Sequence, residues 1–216
     1  MIVAAGASAR FGSEKLAAEF GGHPVLWWTL SAFQASDAIS RIIVVTAEER
    51  IEGVRELAKE AAPKCDTVVR GGPRRRDSVE GGLRASRSRY VAIQDGARPF
   101  VTPALIAATV AAAEGKAGAI PAAPLTDTVK EVRDGMIVGH PERSLLRAVQ
   151  TPQVVLRQAW LDAAATSDND ETDDAAMLSR LGLECVTVEG EPDNIKVTRP
   201  IDLILAEAIL SARGGR

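Results

Sequence analysis

Four stretches of this 216-residue sequence gather small residues, cations and a carboxylate in patterns that suit phosphate chemistry. The first is Ala4-Ala5-Gly6-Ala7-Ser8-Ala9-Arg10-Phe11-Gly12-Ser13-Glu14-Lys15, where small side chains let the backbone come close to a ligand. It reads as a phosphate cradle or as a plain strand-to-helix turn. It contains neither a G-K-[ST] triplet nor G-x-G-x-x-G, so a Walker ATPase and a dinucleotide enzyme both lose their main support. In the second, Gly71-Gly72-Pro73-Arg74-Arg75-Arg76-Asp77-Ser78-Val79, two glycines and a basic cluster precede a helix start, whose exposed N–H groups bind anions or carbonyl oxygens. Arg74 and Arg76, taken singly, read better as a solvated basic face.

The third stretch, Gln94-Asp95-Gly96-Ala97-Arg98-Pro99, sets a carboxylate at the carboxyl end of a strand, where open α/β sheets keep their ligands. Magnesium is held by one or two carboxylates plus substrate phosphates, so Asp95 suits a magnesium anchor; the alternative is an aspartate capping a turn. The fourth, Pro192-Asp193-Asn194-Ile195-Lys196-Val197-Thr198, carries a lysine in a short extended segment. Lys196 is either a point charge aimed at phosphate or a solvent-facing residue of an edge strand.

Short apolar runs alternate with amphipathic stretches, the rhythm of strands feeding helices in a parallel α/β sheet. Residues 2–5, 42–46, 67–70, 90–94, 117–122 and 184–188 read as strands. Residues 25–33, 48–61, 78–85, 103–114, 158–165, 175–181 and 201–212 read as helices. One segment breaks the rhythm: residues 128–138 alternate polar and apolar around Asp134-Gly135, the signature of a β-hairpin too polar for a core pair. A two-stranded arm is marginal alone and needs a support, for which a partner subunit is one candidate. The acidic run Asp168-Asn169-Asp170-Glu171-Thr172-Asp173-Asp174 reads as a solvated loop that caps the helix after it, in preference to a metal site.

The length suits one domain, residues 1–216. With 26 basic against 29 acidic residues and 4% aromatics, the chain has neither a general attraction to polyanions nor a base-stacking platform, so no nucleic-acid partner is expected. Cys65 and Cys185 have no C-x-x-C spacing, and His23 and His140 have no ligand-like neighbours, which argues against a zinc site or a disulfide framework. A reducing cytoplasm fits. No apolar stretch reaches membrane-spanning length and no basic lead-in precedes Ile2, so neither a membrane span nor a signal peptide is expected.

Taken together with Asp127-Thr128-Val129-Lys130 and Thr151-Pro152-Gln153, the four stretches and their order make the chain similar to the 2-C-methyl-D-erythritol 4-phosphate cytidylyltransferase family. Three positions depart from the family pattern: Ser8 replaces a glycine, Glu14 stands where proline is common, and Gln94 where histidine often precedes the aspartate. The resemblance implies a Rossmann-like nucleotidyltransferase fold and a homodimer whose β-arm, about residues 126–150, reaches over the partner's site. It implies transfer of CMP from CTP to methylerythritol phosphate with magnesium. By that carry-over Ala4, Ala5, Gly6, Gly72 and Ser78 hold the nucleotide, Arg75 lies near the base and Asp95 takes the metal. Arg10 and Lys15 lie along the triphosphate, while Arg98, Thr151 and Lys196 face the acceptor, and Thr128 and Arg143 arrive from the other subunit. A ribitol 5-phosphate cytidylyltransferase is similar in motif and reaction, and a non-catalytic nucleotide-binding module is the reading from another class.

Overall fold

Ile42-Ile43-Val44-Val45-Thr46 is apolar almost throughout and buried at every position, as a strand covered on both faces must be. In the computed structural model, which describes residues 1–6, 11, 15–166, 169, 171 and 173–214, this run is one of four neighbouring parallel strands that form one half of the eight-stranded sheet. They are β1 (Ile2–Ala4), β4 (Ile42–Thr46), β5 (Cys65–Arg70) and β6 (Tyr90–Asp95), ordered β6-β1-β4-β5. β2 (Glu19–Phe20) and β3 (His23–Pro24) form a small separate hairpin, turned by Gly21 and Gly22 at φ 54° and 77°. Two successive positive φ values define a type I′ turn, for which Gly-Gly is well suited.

Beyond β6 the sheet is mixed. β7 (Gly118–Pro124) pairs in parallel with β12 (Cys185–Glu189) along one edge. Along the other edge it pairs antiparallel with β10 (Arg147–Val149) and then β11 (Gln153–Leu156), which inserts between β7 and β6. The peptide between Thr151 and Pro152, at the junction of β10 and β11, is cis. The expected parallel alternation therefore missed two antiparallel strands. Each is only three or four residues long, and its pairing is fixed by neighbours distant in sequence.

Helices cover both faces. α1 (Val25–Ala35), α2 (Ile51–Ala61), α4 (Pro103–Ala113) and α7 (Ile201–Ala212) pack on one face, joined in a core with Ile2, Val44 and Ala92. α3 (Arg75–Ala85), α5 (Arg157–Thr166) and α6 (Asp174–Ser179) pack on the other, around Val45, Val91, Ile93 and the fully buried Trp160. The period-two alternation Val91, Ala92, Ile93 assigns successive side chains to opposite cores, and two further residues bring Asp95 to the α3 side. α3 starts three residues earlier than the sequence pattern suggests. Asp77 accepts the Arg74 backbone N–H at 3.1 Å and pairs with its guanidinium at 2.7 Å, so a carboxylate satisfies the helix entry.

The hairpin between β7 and β10 is present: β8 (Glu131–Arg133) pairs with β9 (Met136–Gly139) across Asp134 and Gly135, at φ 50° and 78°. It joins no other sheet, and no residue from Pro124 to Val149 is buried. No helix among the described residues is long and apolar enough to cross a membrane.

The tightest helix-to-sheet approach is at Gly82, where an added Cβ would collide with the Met1 side chain and lie 2.7 Å from Val45 Cγ2. Alanine gains about 1 kcal/mol of helix propensity over glycine. Overpacking costs about 1–3 kcal/mol and wins here, because β-branched Val45 on a central strand has little room to yield. Urea denaturation of Gly82→Ala is expected to show a net loss of stability.

Candidate active site

The parallel strands end on one side of the sheet, and the loops leaving β1, β5 and β6 surround a cleft of about 380 Å³. Ala4, Ala5 and Gly6 form one wall, and Gly72, Arg75 and Ser78 another. Lys15, Asp95 and Lys196 complete it. The two glycine-bearing loops are held close. Gly71 N–H donates to the Thr46 carbonyl at 2.7 Å, and Gly72 N–H donates to Ser78 Oγ at 3.1 Å. Of the expected site residues, Arg10 lies outside the described residues, as do Ser8 and Glu14.

Asp95 is the centre of charge. Lys196 Nζ stands 2.6 Å from its Oδ2, Arg75 Nε stands 3.8 Å from its Oδ1, and only 13% of its side chain is exposed. Burial opposes ionisation, but Lys196, Arg75 and Arg98 together outweigh it and hold the carboxyl below its ordinary value. Lys196 reaches the cleft because Val197 N–H donates to the Ala97 carbonyl at 2.8 Å, stitching its segment beside the β6 exit. Among the described residues no three His, Cys, Asp or Glu side chains gather as a metal cluster.

Two expected acceptor contacts are engaged in building the wall behind Asp95. Thr151 is buried, and its hydroxyl accepts the Asp95 N–H at 3.1 Å. Arg98 donates to the carbonyls of Asn194 at 2.7 Å and Val149 at 3.4 Å, and burial lowers its pKa. Neither side chain lines the cleft. Thr128 and Arg143 lie on the exposed arm, where Arg143 donates to the Thr126 carbonyl at 2.9 Å, and they too are absent from the cleft wall of their own chain.

The sequence reading went wrong over Arg76 and over Asp174 at the end of the acidic run, whose residues 168, 170 and 172 lie outside the described residues. Arg76 is buried, not solvated, and donates to the carbonyls of Asn169 at 2.8 Å and Ala164 at 2.9 Å. In the acidic run Asp173 does cap α6, accepting from Ala176 N–H at 2.8 Å. Its neighbour Asp174 is 1% exposed and paired with Arg75 at 2.7 Å. Burial pushes the Asp174 carboxyl up against the pull of Arg75 and the Trp160 N–H, while Arg75, although burial opposes its charge, is raised above its ordinary value by Asp174. A signal for this was available: Asp174, Met177 and Leu178 share one helical face, and the latter two are core residues.

The chain matches the model of the 2-C-methyl-D-erythritol 4-phosphate cytidylyltransferase family over residues 1–212. Among relatives of that name, it is 40% identical over 215 residues to the protein from Rhodococcus opacus, spanning 97% of this chain and 93% of that one. With the Prochlorococcus marinus protein it shares 40% identity over 222 residues, spanning 99% and 98%. The 4-diphosphocytidyl-2C-methyl-D-erythritol synthase structure from Anaerococcus prevotii superposes with a TM-score of 0.86 at 29% identity, covering 97% and 94% of the two chains. The Thermus thermophilus cytidylyltransferase structure gives 0.81 at 30%, covering 97% of each.

Because the folded-state pKa of Asp95 lies below the ordinary 3.8, its ion pairs stabilise the fold fully above that value and lose their effect as pH falls through the folded-state one. Lys196 keeps 38% side-chain exposure, so replacing it with methionine should cost roughly 1 kcal/mol at neutral pH. Urea denaturation of Lys196→Met across a pH series should show that cost shrinking once acid protonates Asp95.

Proposed function

The chain belongs to the 2-C-methyl-D-erythritol 4-phosphate cytidylyltransferase family and transfers CMP from CTP to that acceptor, releasing pyrophosphate; from this we propose how its residues divide the work. The observation that carries the proposal is what lines the cleft among the described residues: Lys15, Arg74, Arg75 and Lys196 beside the Asp95 carboxylate, with neither of the sequence's two histidines. His23 is stacked on Trp27 at 3.7 Å, and His140 lies on the arm beside Lys130. An imidazole base is not needed. The acceptor's phosphate is already ionised near neutral pH, so attack on the α-phosphorus requires alignment and charge neutralisation rather than proton removal.

In this division, the backbone of Ala4, Ala5, Gly6 and Gly72, with Ser78, seats the nucleotide. Arg75 contacts it from the first turn of α3, where the helix N-terminus adds its own positive potential. Lys15, with Arg10 from the same loop, neutralises the charge that grows toward pyrophosphate. Lys196 holds the attacking phosphate against its repulsion from CTP, and Arg98 and Thr151 fix the wall behind it.

Asp95 fits a magnesium ion: it is held ionised, it lies at the cleft wall, and a hard divalent cation needs only one or two carboxylates when phosphates supply the rest. Bound there with CTP, the ion would add Lewis-acid stabilisation of the phosphoryl oxygens.

The enzyme works as a homodimer in which Thr128 and Arg143 reach the partner's acceptor site. Two features support this: both residues sit away from their own cleft, and the arm exposes Val132, Met136, Ile137, Val138 and Leu145 by 55–77%. Apolar exposure of that extent on one protruding segment marks an interaction surface. A cytoplasmic location accords with free Cys65 and Cys185.

Pyrophosphate release should be observed with CTP, Mg²⁺ and methylerythritol phosphate, and not with ribitol 5-phosphate as acceptor. Lys15→Ala is expected to lower kcat about 10²–10³-fold, the effect of removing one preorganised charge-stabilising donor. Turnover at the wild-type rate would remove Lys15 from the scheme. Arg143→Ala and Lys15→Ala should each be inactive alone yet recover about a quarter of wild-type activity after subunit exchange, because half of the mixed dimers' sites are intact. A monomer in sedimentation, or no recovery on mixing, would return Arg143 to its own chain.

A further inference from the structure

The reaction scheme uses Arg75 but leaves out the carboxylate that grips it. Asp174 is 1% exposed and forms no part of the cleft wall, yet one of its oxygens grips a side chain that does. Oδ2 accepts from Arg75 at 2.7 Å, Oδ1 accepts from Trp160 Nε1 at 3.2 Å, and its backbone N–H donates to Gln153 Oε1 at 2.9 Å. A buried carboxylate is costly unless it is paired and hydrogen-bonded, and here each oxygen and the main chain are held by a different element. Arg76 secures the same region by donating to the carbonyls of Ala164 and Asn169.

Arg75 therefore stands between two unequal anions. The close one, Asp174, lies behind the cleft; the loose one, Asp95 at 3.8 Å, lines it. We propose that Asp174 is a positioning residue for nucleotide binding, which fixes the Arg75 guanidinium at the cleft wall and keeps it off Asp95. The proposal rests on the reading of Arg75 as a nucleotide contact. Without a charge at 174, the carboxylate that still stands at ion-pair distance from Arg75 among the described residues is Asp95, at 3.8 Å, whose other oxygen already holds Lys196 at 2.6 Å. A guanidinium turned there would leave the nucleotide and occupy the oxygen that the nucleotide's cation requires. Asp174→Asn keeps the shape of the side chain, removes the charge and turns one of its two acceptors into an NH2 donor, so the single oxygen left can serve Arg75 or Trp160 but not both.

The test is titration calorimetry of CTP binding, with steady-state kinetics alongside, on Asp174→Asn, Arg75→Ala and the double variant. Asp174→Asn should weaken CTP binding about tenfold and raise KM for CTP in step, with kcat within about twofold, as for a lost ground-state contact. The double variant should bind CTP no more weakly than Arg75→Ala alone, since Asp174 acts only through that guanidinium. Trp160→Phe, which removes one N–H from Asp174, should give a smaller loss that vanishes in the Arg75→Ala background. It carries the same test if Asp174→Asn does not fold. Losses that multiply, or an unchanged KM in Asp174→Asn while Arg75→Ala weakens CTP, would overturn the role of Asp174 and leave that of Arg75 standing. CTP affinity untouched by Arg75→Ala would overturn both.

Discussion

An aspartate almost shut off from water at the end of a central strand is the constraint around which this structure is arranged. Asp95 keeps its charge only because cations are delivered to it from places far apart in sequence. Lys196 comes from the segment before the last helix and Arg75 from the opening of α3. Each delivery has its own scaffold. The 190s segment is pinned by Val197 to Ala97, by Arg98 to the Asn194 carbonyl, and by Asn194 Nδ2 to the Thr151 carbonyl at 3.0 Å. α3 is pinned by its Asp77 cap and by Gly71 against β4. A ligand that brings its own metal and phosphates would enter a pre-existing balance of charge around Asp95.

How far this could be read from sequence depended on which forces were local. The central parallel strands announce themselves, because a run such as Ile42–Thr46 can only be covered on both faces. The rule that α/β sheets bind at their strands' carboxyl ends pointed to Asp95, while the four stretches were brought together by the family resemblance. Asp134-Gly135 specified its own turn. What escaped was tertiary. β10 and β11 are too short to carry a period, and they owe their identity to the edges of β7 and β6. Arg76 and Asp174 looked like surface charges because charge usually is solvated. The carbonyls that hold Arg76 and the arginine that pairs with Asp174 lie 88 to 99 residues away, a distance over which composition and periodicity are silent. Thr151 and Arg98 illustrate the intermediate case: their neighbourhood was legible, whereas their present bonds are to the frame of the site.

The same contrast separates the two kinds of residue that serve the chemistry. Backbone groups of small residues need no partners to be useful, so the Ala4-Ala5-Gly6 and Gly71-Gly72 loops are recognisable from composition alone. Long cationic side chains are useful only when held. Arg75 has a buried carboxylate, Lys196 has Asp95, and Arg98 has two carbonyls. Holding them costs the desolvation of several charges, set against the burial of two apolar cores, one on each face of the sheet.

The stretch from residue 125 to 146 leaves the sheet and returns to it without burying a side chain. Its sequence is therefore under almost no obligation to the protomer's own stability. Outside residues 127–130 and Arg143, changes there would be filtered by recognition alone, so the rest of the segment carries little constraint from folding.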